Sequence, residues 1–143
     1  MTLIEFLTAR LDEEHRAAEA AAEATGFTSP GRWTSTPCVV NHGGWQVADG
    51  PAPVIREDDG GLPKALTDFI AAHDPTRALA EVAAKRAILR LHDSCGSGCG
   101  YCDDGGHGGA GPDMDLPGCP TTTLLAQPYR DRAGWDEAWE VEG

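Results

Sequence analysis

The stretch His73–His92, HDPTRALAEVAAKRAILRLH, decides how the rest of the chain has to be organised. Asp74 is a residue type that caps helix N-termini, and Pro75 suits the first helical position. One stripe at helical spacing follows, formed by Leu79, Val82, Arg86 and Leu89. The pattern predicts the strongest helix of the chain, ending near His92 because the glycine-rich DSCGSGCG that follows cannot continue it.

Upstream, the chain predicts a first helix and then a small antiparallel sheet. Thr2–Glu5 reads T-x-x-E, a capping box, and apolar residues follow at helical spacing until Gly26 marks a stop. Between Gly31 and Arg56, valines, isoleucine and tryptophans are broken by NHGG and DGPAP. CVVNHGGWQV predicts a hairpin with its turn at Asn41–Gly44, and residues 54–55 a third short strand. Because such a sheet is small, we expect a helix to cover one face.

Two shorter helices complete the predicted elements. LPKALTDFIAAH forms one, and CPTTTLLAQPY forms the other, with Pro120 in its first turn and Pro128 at its end. The residues expected to face the core are Leu66, Phe69 and Ile70 in the first of these helices and Leu124 and Leu125 in the second. In the terminal DRAGWDEAWEVEG, Trp135 and Trp139 share one face of a short helical turn, serving either an interface or the core.

The charge of the chain restricts its partners. The formal net charge is −12, a field that repels a phosphate backbone and makes nucleic acid an unlikely partner. A local basic stripe on the long helix is the exception; its members are Arg77, Lys85, Arg86 and Arg90. A basic protein partner suits the field better, although acidity alone also keeps a protein soluble. With no signal peptide and no apolar run long enough to span a membrane, we expect a cytoplasmic protein with reduced thiols.

A cluster of cysteines follows the long helix. DSCGSGCGYC, residues 93–102, spells C-x3-C-x2-C. Five cysteines in a reducing compartment fit a disulfide framework poorly. The spelling is also that of radical-SAM iron–sulfur proteins, but the chain has neither the length nor the strand–helix units of the barrel that this chemistry needs. Structural zinc fits better, and free thiols without metal are the remaining alternative.

The predicted zinc ligands come from both ends of one loop. Cys99 and Cys102 form a C-x2-C turn whose glycines let both sulfurs point at one ion, and Cys119 returns at a helix start. The fourth ligand is either His92, anchored on the helix, or Cys95. We therefore expect a metal-binding loop over residues 93–119 with a flexible glycine-rich section at 103–118. Zinc there would supply on the order of 10 kcal/mol of folding free energy.

Three stretches carry a resemblance to a known family. They are MTLIEFLTARLDEEHRAAEAA, HDPTRALAEVAAKRAILRLH and CPTTTLLAQPYRDRAGWDEAWE. Together and in this order they resemble an uncharacterised family of small actinobacterial and actinophage proteins. The resemblance implies a histidine after the AKR helix, a C-x2-C and a cysteine before the final helix, which correspond to His92, Cys99, Cys102 and Cys119. Cys95 and the long glycine-rich loop depart from that pattern, and the family implies no known activity.

These observations predict a fold class and a kind of function. The fold is α+β in one domain, residues 1–143: an N-terminal helix, a small antiparallel β-sheet, a helical pair and a zinc-stapled C-terminal helix. The function is that of a small, acidic, zinc-stabilised protein that binds another macromolecule, most simply a protein. The alternatives are a zinc-dependent hydrolase and a phage-linked modulator that mimics nucleic-acid charge. A closed four-ligand site leaves no position for a reacting water, so no catalytic residue is predicted.

Overall fold

The computed structural model describes residues 1–24, 31–38, 43–55, 61–92 and 119–141. Its helices are α1 (Leu3–Ala24), α2 (Lys64–Ala72), α3 (Pro75–His92) and α4 (Pro120–Ala126), and its strands are β1 (Trp33–Pro37), β2 (Trp45–Asp49) and β3 (Ala52–Ile55). Two 3-10 turns follow α4, at Gln127–Tyr129 and Glu137–Trp139. The described residues thus have the α+β composition and the element order that the sequence predicts.

The chain divides into two compact units. One combines Met1–Glu13 with Ala83–Gly143, and the other is Glu14–Val82. The expectation of one domain over residues 1–143 stays a prediction, as does the metal-binding loop, most of which lies outside the described residues. No helix in the described ranges combines the length and hydrophobicity needed to cross a lipid bilayer.

A three-stranded antiparallel sheet with strand order β1-β2-β3 lies in the unit Glu14–Val82. Trp33 lies opposite Asp49 and Pro37 opposite Trp45, so β1 and β2 pair as a hairpin, but β1 lies upstream of the CVV stretch in which the sequence places the first strand. The hydrogen bond from Cys38 N to Gly44 O, 2.9 Å, continues the pairing toward the turn. Residues 39–42, which include part of the predicted turn, lie outside the described ranges. The third strand is confirmed as β3, paired with β2.

Helix α2 covers the sheet, but with a different face from the one predicted. Thr67 is fully buried, and its hydroxyl oxygen lies 2.8 Å from that of Ser35 on β1. The prediction that Leu66 and Phe69 face the core is wrong, since they are 45% and 63% exposed; Ile70 is half-buried. The polar contact at Thr67 fixes the rotation of the helix. Positions 67, 70 and 71 then share the sheet-facing side, and positions 66 and 69 point away.

The predicted start of α3 is confirmed. The Asp74 carboxylate accepts a hydrogen bond of 2.7 Å from the backbone N–H of Arg77, and Pro75 is the first helical residue. Gly31, which lies just before β1, is joined to the start of α3, because Thr76 N donates to Gly31 O at 3.0 Å. In the same unit, the buried Asp49 carboxylate accepts from Gly31 N at 3.1 Å. α3 ends at His92, where the glycine-rich sequence begins.

In the unit of Met1–Glu13 and Ala83–Gly143, the core is built on the start of α1. The capping box is formed: Thr2 N donates to the Glu5 carboxylate at 2.7 Å, and Glu5 N donates to the Thr2 hydroxyl at 3.2 Å. Phe6 is fully buried, and its ring centroid lies 5.3 Å from that of Trp139 and 5.8 Å from that of Trp135. Since Trp139 is only 7% exposed, it belongs to the core and not to an interface.

Helix α4 also turns a different face inward from the one predicted. Leu124 is 51% exposed and Leu125 is half-buried, whereas Thr122, Thr123 and Ala126 are buried. The expectation that Leu124 is a core residue is therefore wrong. Both threonine hydroxyls donate to the carbonyl oxygen of Cys119, at 2.9 and 3.2 Å. Because their polar atoms are satisfied inside the helix, the threonines can be buried without an unpaired hydroxyl.

Candidate metal centre and the exposed face of α2

His92 and Cys119 meet at the junction of α3 and α4. His92 is the last residue of α3, and Cys119 directly precedes the first residue of α4. The Cys119 sulfur lies 3.3 Å from His92 Nδ1, although the two residues are 27 positions apart. Cys119 is 7% exposed and His92 is half-buried. Two of the predicted ligands are therefore neighbours, each carried by a helix terminus.

Cys119 is held in place by its own backbone. Its carbonyl oxygen accepts hydrogen bonds from the hydroxyls of Thr122 and Thr123 and from the backbone N–H of Thr123, the last at 3.1 Å. Its backbone is extended, with φ −67° and ψ 122°, which suits the residue before a helix. The buried threonines of α4 thus have a second role, since they anchor the residue that carries the thiol.

The separation of sulfur and nitrogen suits two kinds of chemistry. Around a tetrahedral zinc with Zn–S of about 2.3 Å and Zn–N of about 2.0 Å, a sulfur and a nitrogen ligand lie about 3.5 Å apart. The observed 3.3 Å is close to that value. It also suits an S–H···N hydrogen bond between a thiol and a neutral imidazole. The pair is therefore arranged either to share a metal or to share a proton.

The other predicted ligands, Cys95, Cys99 and Cys102, lie in residues 93–118, outside the described ranges. The choice between His92 and Cys95 as fourth ligand stays a prediction. Within the described residues, no three His, Cys, Asp or Glu side chains come together as a metal-binding group. Cys38 belongs to the other unit, where its side chain is buried.

The second candidate site is an exposed apolar surface on α2, which we call the α2 face: Leu66, Phe69 and His73. The rings of Phe69 and His73 are in contact, with centroids 4.3 Å apart and planes tilted by 35°, and His73 Nδ1 lies 2.7 Å from the Phe69 carbonyl oxygen. Positions 66, 69 and 73 follow helical spacing, so the three side chains form one stripe. The sequence pattern predicts that Leu66 and Phe69 face the core, whereas both side chains are exposed.

Lys64 and Asp68 form an ion pair on a different side of the same helix. Lys64 Nζ lies 2.6 Å from the Asp68 carboxylate, and the same ammonium lies 4.7 Å from the centre of the Trp45 ring. The hydrogen bond from Lys64, followed by one from Ser35, holds the pKa of Asp68 below its ordinary value. Asp68 therefore stays charged at neutral pH, and the Lys64 ammonium compensates its charge.

The fold defines the class of this protein, and comparison with known proteins defines its family. The class is that of small α+β proteins. The chain belongs to DUF6221, a family of unknown function, which matches residues 1–141. No curated protein and no solved structure shows significant similarity to the chain. The family match extends the predicted resemblance over nearly the whole chain, but an actinobacterial or phage origin and a shared His/Cys cluster stay predictions.

Proposed function

We propose that this chain is a zinc-stabilised binding protein whose α2 face docks on a basic protein partner. The observation that carries the proposal is the exposure of Phe69, 63%, beside Leu66, 45%. A phenylalanine that packs on its own core removes apolar area from water, worth about 1.5–3 kcal/mol when fully buried. Phe69 gains only part of that stabilisation within the chain, so a partner surface can supply the rest.

Charge favours a basic partner. The chain carries a net charge of −12, which attracts a basic surface, and the α2 face adds exposed carbon. A partner with lysines or arginines around an apolar centre would match both the acidity of the chain and the exposed carbon of the α2 face. The charges would guide association, and the apolar residues would contribute affinity. Such a partner should bind more weakly as salt concentration rises.

Zinc would stabilise the module without taking part in a reaction. The proposed ligands are Cys99, Cys102, Cys119 and either His92 or Cys95, and the 3.3 Å between Cys119 and His92 supports the choice of His92. A metal on this pair would join the end of α3 to the start of α4. Because thiolate ligands must be reduced, we also propose that the protein works in the cytoplasm.

The decisive experiment compares two exposed apolar residues on different helices. Phe69→Ser and Leu124→Ser both remove exposed carbon, since Leu124 on α4 is 51% exposed. Proteins crosslinked to the purified wild-type chain in reducing cell extract are identified, and each recombinant partner is titrated against wild type and both variants. We expect Phe69→Ser to weaken binding of a basic partner by at least about tenfold, typical of a lost interface anchor.

Leu124→Ser should bind that partner within about twofold of wild type, and circular dichroism should show both variants folded. The proposal fails if Phe69→Ser and wild type bind all captured partners equally. It also fails if sedimentation shows that the α2 face joins two copies of this chain, because the occupant would then be a second acidic protein.

A further inference from the structure

A groove in the unit of Met1–Glu13 and Ala83–Gly143 has an apolar floor and a cationic rim. Its volume is about 220 Å³, and it is lined by Ile4, Thr8 and Leu11 of α1 and by Arg86, Leu89 and Arg90 of α3. Leu11 and Leu89 are buried and form the floor. Since a water molecule occupies about 30 Å³ in the liquid, the groove has room for roughly seven non-hydrogen atoms.

The polar groups of the groove select for negative charge. The Thr8 hydroxyl donates to the carbonyl oxygen of Ile4 at 2.8 Å, so its proton is already used. Arg86 pairs with Asp12 through one Nη atom, which leaves other N–H donors of its guanidinium. Arg90 is exposed and forms no ion pair or hydrogen bond within the described residues. Two guanidinium groups therefore border a floor of leucine and isoleucine carbon.

The surroundings make this combination unusual for the chain. With a net charge of −12, most of its surface repels anions, and the two arginines create a local exception. A guanidinium can bind a carboxylate through two parallel hydrogen bonds, a geometry that an ammonium group lacks. An inorganic anion has no carbon to cover the apolar surface that stays exposed in the groove, to which the half-buried Ile4 contributes.

We propose that this groove binds a small monocarboxylate with a short aliphatic or aromatic body. The carboxylate lies at the rim against Arg90, with Arg86 beside it, and the body covers Leu11, Leu89 and Ile4. The size of the groove limits the body to about the size of a pentyl chain or a phenyl ring. This site is independent of the α2 face, so either proposal can fail without the other.

The ligand chemistry is tested by calorimetry and by NMR titration of labelled protein at low salt. Hexanoate is the probe, acetate is the matched anion without the body, and 1-hexanol is the matched body without the charge. We expect hexanoate to bind at least about tenfold more tightly than either comparator, because it alone uses both the rim and the floor. Equal affinities for hexanoate and acetate, or for hexanoate and hexanol, would overturn the proposal.

Three variants locate the site. Arg90→Gln removes the guanidinium charge but keeps a polar side chain, and it should lose about tenfold in hexanoate affinity, the value of one charge-assisted contact. Arg77→Gln, on the same helix but outside the groove, should stay within about twofold of wild type. Thr8→Phe fills the groove from an exposed position and should abolish saturable binding with an unchanged melting temperature.

Retention of hexanoate affinity in Arg90→Gln, or in a folded Thr8→Phe, would remove the groove as the binding site. An acidic peptide that saturates this face where hexanoate does not would assign it to a protein segment and likewise contradict the proposal.

Discussion

Cys119 is the residue on which most of the metal hypothesis depends. It is buried, its carbonyl oxygen is held by two threonine hydroxyls, and its sulfur lies 3.3 Å from a ring nitrogen of His92. A cysteine in this setting is a better zinc ligand than an isolated surface thiol, because its position is fixed before the metal binds. Cys38, buried in the other unit, provides the natural comparison.

Zinc content and stability should both change when Cys119 is replaced. We expect one zinc per chain in purified wild-type protein and less in Cys119→Ser, because a serine hydroxyl does not readily ionise at neutral pH. The variant should lose several kcal/mol of folding free energy, a large share of the total of about 5–15 kcal/mol of a small domain. Elemental analysis and thermal melts with and without a chelator measure both effects.

Cys38→Ser is the control for this experiment, and we expect it to keep the full zinc content. If Cys119→Ser melts like wild type and wild type ignores the chelator, Cys119 is no structural ligand. Brown protein with visible absorbance would instead indicate iron–sulfur.

At the scale of elements, the sequence predicts which helices form better than it predicts which face of each helix points to the core. α1 and α3 are recognised because capping residues and apolar periodicity agree, at Thr2–Glu5 and at Asp74–Pro75. The rotations of α2 and α4 are not recognised, because buried threonines take the inward positions expected for leucine and phenylalanine. A threonine is suited to the interior only when its hydroxyl has a partner, and that partner comes from tertiary structure or from the helix itself.

Two glycines with a left-handed backbone, Gly50 and Gly61, differ in how closely other backbone atoms approach them. Gly61 has φ +72°, and a Cβ there would lie 2.6 Å from Gly44 Cα, whereas Gly50 has φ +59° and open space around it. Gly61 is followed by Leu62, which exchanges two backbone hydrogen bonds with Trp45 of β2 at 2.8 and 3.0 Å. A side chain at Gly61 would therefore push this bridge apart.

Both alanine variants should be less stable than wild type, but by different amounts. Gly50→Ala should cost about 1–2 kcal/mol, the penalty of the left-handed conformation alone. Gly61→Ala should cost at least about 1 kcal/mol more, because backbone atoms have to move. Urea unfolding followed by circular dichroism measures the difference. Equal urea midpoints for the two variants would show that the backbone at Gly44 can move away from a Cβ at position 61 without loss of folding free energy.

At the scale of the whole molecule, the C-terminal residues complete a core that begins at the N-terminus. Within their common unit, Phe6 of α1 packs against Trp139, and the Gln127 side chain donates to the Trp139 carbonyl oxygen at 2.7 Å. Val141 N also donates to the Gln127 side chain, at 3.4 Å. Trp139 and Val141 are therefore part of the fold, whereas the sequence leaves the role of Trp139 open between core and interface.

Truncation after Tyr129 should destabilise this unit strongly. Losing the packing of Phe6 against both tryptophans should cost about 3–5 kcal/mol, the range for removing a large aromatic from a core. Removal of residues 142–143 alone is the control and should leave stability unchanged. Hydrogen exchange at α1 amides and thermal melts measure the loss. A truncated chain that melts like the control would mean that the tryptophans contribute little to folding.

The candidate sites were predictable to different extents. C-x2-C spacing and a returning cysteine make Cys99, Cys102 and Cys119 visible in the sequence, and the resemblance adds His92. The proximity of His92 and Cys119 needs the structure, because nothing local specifies how α3 and α4 meet. The α2 face depends on a helix rotation set by the contact between Ser35 and Thr67. The groove combines residues from α1 and α3 that are far apart in the sequence.

The meeting of His92 and Cys119 has a consequence for how the chain can change in length. The polypeptide leaves α3 and re-enters α4 at nearly the same point, with side-chain atoms 3.3 Å apart. The entropy of closing a loop grows only with the logarithm of its length, so doubling the connecting segment costs about 0.6 kcal/mol. Residues can therefore be added between these helices at little thermodynamic expense, which makes this junction a suitable place to insert a reporter domain or an epitope.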